Sequence, residues 1–142
     1  MKKFNLFMTF FIIAMLVIGC ASSSSNSKNV EVKFLNEGQV LSTESFNTYS
    51  VKLVNNKGDA IDAEKVYLYL NMKMMNHPIE GTMKRVDIGL YELELPLAMA
   101  GEWYANVTVT VEGETIEFSE FAIIAEGPKQ VEWMKGYHAD QQ

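Results

Sequence analysis

GEWYANVTVTVEGETIEFSEFAII, residues 101–124, alternates apolar and polar side chains through its first half. Trp103, Ala105, Val107, Val109 and Val111 fall on one side, and Tyr104, Asn106, Thr108 and Thr110 on the other. This period of two marks a half-buried strand. Glu112-Gly113 is a tight-turn signal, and Glu114 to Ile124 returns as a second strand, so the stretch predicts a closing β-hairpin.

Outward from this hairpin the same period recurs. Val30–Leu35 and Tyr49–Val54 are short alternating runs, the second placing Tyr49, Val51 and Leu53 opposite Ser50 and Lys52. Residues 55–59, NNKGD, read as a turn. From Val66 to Met75, Val66, Leu68, Leu70, Met72 and Met74 share one side, which predicts that Met72 and Met74 enter the core. Pro78 and Glu80-Gly81 are expected to end that strand. Leu90–Leu95 is a further strand, and Pro96 to Gly101 turns the chain back into the opening hairpin. Six or seven short strands with a tryptophan on an inner face predict an all-β fold, an immunoglobulin-like antiparallel β-sandwich of about seven strands over residues 30–125. A small open barrel would give a similar pattern.

The N-terminus addresses the compartment. Lys2 and Lys3 precede an apolar run from Leu6 to Ile18, which breaks off at Val17-Ile18-Gly19-Cys20. A positive start, a short apolar stretch and a small residue before the cut describe a secretory signal over residues 1–19, too short to span a bilayer. Val-Ile-Gly-Cys resembles the lipobox of bacterial lipoproteins, which makes Cys20 the expected lipidation site and the new N-terminus. Cys20 is the only cysteine, so neither an intramolecular disulfide nor a cysteine-based metal site is available. Residues 20–29 then form the lipidated cysteine and a serine-rich tether, ASSSSNSKN following Cys20. The expected location is extracytoplasmic, lipid-anchored to the cell membrane of a bacterium, with acyl chains contributing about 0.8 kcal/mol per buried CH₂. Removal of residues 1–19 takes away two lysines and no acids, moving the formal charge from −6 to −8. That balance argues against nucleic acid as a partner.

Residues 70–83, LNMKMMNHPIEGTM, gather four methionines and one of the two histidines. Three motifs in order, Met72 to His77, then Gly89-x-Tyr91, then Met99-x-Gly101-x-Trp103, resemble the YtkA-like domain and its FixH-like relatives. The resemblance covers roughly residues 30–124. It implies a small extracytoplasmic β-sandwich and, through relatives associated with copper handling or cytochrome oxidase maturation, a purpose for the methionines. This chain departs from the methionine- and histidine-rich versions in carrying one histidine in the stretch.

Thioethers and imidazoles suit Cu(I) outside the cytosol. Met75 and His77 fall opposite the expected core side, and Met83 can join His77 if the intervening loop is irregular, so Met75, His77 and Met83 are the candidate Cu(I) ligands. The alternative is an amphipathic loop packed on Tyr67 or Tyr69, with Met99, Gly101 and Trp103 read as a tight turn and a core plug. The chain has no Gly-x-Ser-x-Gly, no phosphate-cradling glycine loop and no paired-cysteine spacing, and the two histidines, His77 and His138, limit nucleophilic chemistry. The expectation is a non-enzymatic binding or accessory module with a protein partner, or a copper-binding protein. Asn106-Val107-Thr108 matches a glycosylation sequon that a bacterial lipoprotein gives no consequence. In the tail, residues 126–142, Val131, Met134 and His138 follow helical spacing, and the segment is expected to strap the sandwich, remain disordered or bind a partner.

Overall fold

The computed structural model describes residues 29–142, which form two β-sheets packed face to face. In the first sheet β1 (Glu31–Phe34), β3 (Asn47–Val54), β7 (Leu90–Leu95) and β6 (Lys84–Asp87) lie side by side. In the second the order is β10 (Tyr137–His138), β5 (Ile79–Thr82), β4 (Lys65–Met72), β8 (Gly101–Val111), β9 (Glu114–Glu126) and β2 (Val40–Ser42). All pairings are antiparallel except β2 with β9 and β10 with β5. On the immunoglobulin plan β1, β3, β7 and β6 stand as A, B, E and D, and β4, β8 and β9 as C, F and G, so the fold is the expected immunoglobulin-like sandwich.

The inner faces follow the sequence alternation. Tyr49, Val51 and Leu53 of β3 meet Val66, Leu68 and Leu70 of β4 and Trp103, Ala105, Val107 and Val109 of β8 in one core, all fully buried. Each large aliphatic side chain so removed from water contributes about 1.5–3 kcal/mol. The β8–β9 hairpin turns at Glu112 and Gly113, with φ of 52° and 76°, the left-handed pair that matches the strand twist.

Four strands were not apparent as period-two runs: β2, β5, β6 and β10, of two to four residues each. Two expectations are corrected. The strand begun at Val66 stops at Met72, and Met74, expected in the core, is 87% exposed on the loop beyond it. Glu80-Gly81 does not turn the chain but lies inside β5. Gly81 serves a close approach instead: a β-carbon there would stand 2.7 Å from the Ala139 Cβ of the tail.

Candidate functional site

The histidine and the methionine-bearing loop come together at one end of the second sheet, where the β4–β5 connection, residues 73–78, meets the C-terminal tail. Asn71, the buried penultimate residue of β4, builds this loop. Its Oδ1 accepts the backbone N–H groups of Met72 at 2.9 Å and His77 at 2.8 Å. Its Nδ2 donates to the Tyr69 hydroxyl at 2.8 Å and to Asn76 Oδ1 at 2.9 Å. One amide therefore replaces the β4–β5 ladder across the loop mouth, where pairing ends at Leu70 with Ile79. The sequence signal for this, an asparagine at a strand end followed by Asn76, is weak beside the alternation that surrounds it.

His77 follows and is buried. Its Nδ1 lies 2.7 Å from the Met134 carbonyl oxygen. A carbonyl only accepts, so Nδ1 carries a proton, and in the neutral ring Nε2 holds the lone pair. That Nε2 is buried and has no hydrogen-bond partner among the described residues.

Of the other candidate ligands, Met75 shares the loop with His77 and Met83 lies away from it. Met75 is 52% exposed on the loop two residues earlier. Met83 is a core residue whose N–H bonds to the Val66 carbonyl at 2.8 Å. His77 stands near the other end of the same hairpin, since Ile79 pairs with Leu70. Six residues of extended chain separate Met83 from His77 by roughly 20 Å. The irregular loop that would let Met83 join His77 does not form, because residues 79–82 are a regular strand. Among the described residues no three of His, Cys, Asp and Glu cluster as a metal cage.

The tail is a strap, and the helical spacing read from Val131, Met134 and His138 yields two short 3₁₀ turns, Val131–Trp133 and Ala139–Gln141. Between them β10 pairs with β5, Tyr137 opposite Ile79 and His138 opposite Glu80. His138 thus folds back, about three residues from His77 along β5, and takes its own partners. Tyr67 donates its hydroxyl proton to Glu80 Oε2 at 2.9 Å, so the 3.2 Å contact to His138 Nε2 has the ring donating. Burial, and then the Glu80 carboxylate, push the Tyr67 phenol well above its usual range. Asp140 accepts the Thr82 N–H at 2.9 Å and the Thr82 hydroxyl at 2.8 Å. The Thr82 backbone N–H holds the Asp140 carboxyl below its usual range. Glu80, Thr82 and Asp140 were not among the sequence candidates, because the strand pairing that assembles them is two residues long.

Cys20 and the stretches expected to be signal and tether, up to residue 28, lie outside the described residues. Among the described residues no helix is long and apolar enough to cross a membrane. No family model matches the chain, and no curated protein matches it either. Among solved structures the chain is similar to the filamin domain of Lin-41, at 15% identity and a TM-score of 0.49, over 67% of this chain and 91% of that one.

Proposed function

We propose that the chain is a lipoprotein anchored through Cys20 outside the cytoplasm, whose sandwich acts as a non-enzymatic binding or accessory module of the YtkA-like kind. The observation that carries the binding reading is the β5 edge. It holds an extended segment by two strand pairs and by the Thr82–Asp140 contacts, as a recognition edge does. The lipobox sequence carries the anchoring. Replacing Cys20 by serine in cells should move the protein from the membrane to the soluble or secreted fraction without changing its melting transition. Retention in the membrane after a high-salt wash would refute the anchor.

A second reading, Cu(I) binding in metal handling or oxidase maturation, draws support from His77. An imidazole whose Nδ1–H is fixed on a carbonyl, with Nε2 left as a lone-pair donor, has the form of a ligating histidine. Met75 lies on the same loop, whereas Met83 requires the β4–β5 ladder to break. Competition of the intact protein against a Cu(I) chelator decides it, with His77→Ala and Met75→Leu each expected to weaken binding and leave metal-free melting nearly unchanged. Affinity no tighter than about micromolar retires this reading.

A further inference from the structure

The strap is held at its side chains more than at its backbone. Two paired residues make a short ladder, with the Tyr137 N–H on the Pro78 carbonyl at 2.9 Å. Three further side-chain anchors join the His77–Met134 and Tyr67–His138 contacts. The Tyr137 ring stands edge-on to Phe46 at 5.7 Å and to Trp133 at 5.1 Å. Ala139 sits against Gly81, where a β-carbon on the glycine would collide with the alanine's own. The Asp140 carboxylate takes the Thr82 N–H and hydroxyl.

Yet the segment is not built into the core. Neither 3₁₀ turn buries a residue, Tyr137 and His138 are half-buried, and Val131 is 78% exposed. Trp133, Met134, Tyr137 and Ala139 pack half-buried against the core, but no residue of the strap is fully buried, and a segment of that kind opens locally at a cost below global unfolding. Gly136, at φ 100° with Pro78 O 2.7 Å from where its β-carbon would be, marks the bend at which the strap closes onto β5. Opening would expose a bare strand edge, a template for pairing with another chain. It would also widen the depression of about 500 Å³ beside it, which Phe46, Val86, Leu93 and Thr48 line.

We infer that the β5 edge is a docking site for an extended partner segment with an aromatic residue, a small residue two positions on and an aspartate after it. The chain's own Tyr137, Ala139 and Asp140 occupy that site in cis. The seated strap identifies the occupant: the aromatic meets Phe46, the small residue meets Gly81, and the carboxylate meets Thr82. This deepens the binding-module reading and is independent of the lipid anchor.

The test uses the full chain and a labelled synthetic peptide of residues 131–142, followed by fluorescence anisotropy. Asp140→Ala in the chain loosens the cis competitor, so the peptide should bind this variant at least tenfold more tightly than the unaltered chain. Peptides carrying Asp140→Ala or Ala139→Leu should bind at least tenfold more weakly. Tyr137→Ser in the chain provides a second loosened strap should the first variant fail to fold, and Gly81→Val should close the site in either background. Equal affinity for strapped and loosened chains, no binding to a folded loosened chain, or indifference to the peptide's aspartate and alanine would each overturn the proposal. Failure here with a Cys20→Ser result as expected would leave the anchored module standing and remove only this partner.

Discussion

The indole of Trp103 donates its Nε1–H to the carbonyl of Met99, four residues back along the chain, at 3.0 Å. Trp103 opens strand F of the immunoglobulin plan, so the indole takes the part that a tyrosine hydroxyl plays at the corner between strands E and F in other such sandwiches. Trp103→Ala should cost about 3–5 kcal/mol. Trp103→Phe, which keeps most of the packing and loses the hydrogen bond, should cost less, and denaturant melting of the two variants separates the contributions.

Tyr49 is fully buried, and its hydroxyl has no partner among the described residues. Burial pushes this phenol far above its usual range. Tyr49→Phe deletes an unsatisfied group and keeps the ring stacked on Phe34, so stability should stay level or rise by about 1 kcal/mol. A loss of more than about 1 kcal/mol would mean that the hydroxyl has a partner after all.

The methionines divide by burial. Met74→Ala, at an 87% exposed position, should change stability by less than about 0.5 kcal/mol. Met83→Ala, at a 4% exposed position, should cost about 2–5 kcal/mol. Thermal melts of the pair provide the comparison, and the reverse ordering would contradict the register of β5.

Asn71→Ala strands the N–H groups of Met72 and His77 in a buried loop mouth. The expected loss is about 2–4 kcal/mol, from two groups at about 1–3 kcal/mol each with partial rescue by water. Amide exchange should quicken at His77 more than at Leu68, deep in the same hairpin.

The strap should respond to acid. Asp140 has its carboxyl pKa lowered by Thr82, so its contribution is fully present above the ordinary carboxylate value of about 3.9 and is lost as pH falls through the lower folded value. Exchange of the Thr82 amide should accelerate across that acid window before the core strands open. Asp140→Asn should remove most of the pH dependence.

The long strands were legible because one face of each is core: Trp103 to Val109 and Tyr49 to Leu53 alternate without interruption, and both inner faces are buried as read. The methionine loop was read as a continuation of the same period. Alternation persists through Met74 only by composition, since the side-chain amide of Asn71 has already closed the ladder. Gly81 looked like a turn residue because a glycine required by a neighbour's Cβ and one required by a positive φ are the same letter. The strap's partners, Glu80, Thr82 and Asp140, lie 58 or more residues apart between strand and tail, a separation that local patterns do not bridge.

A load applied between Gln39 and Gly127 would fall on the parallel pair β2 and β9. The chain enters β2 at Val40 and leaves β9 at Glu126, at opposite ends of the pair. Tension therefore slides one strand along the other and strains the rungs Val40–Ile124, Leu41–Ala125 and Ser42–Glu126 together, whereas an antiparallel hairpin peeled from its open end yields one rung at a time. Resistance to pulling is a matter of unfolding rate, and a pair loaded in shear must lose its rungs together before that axis gives way.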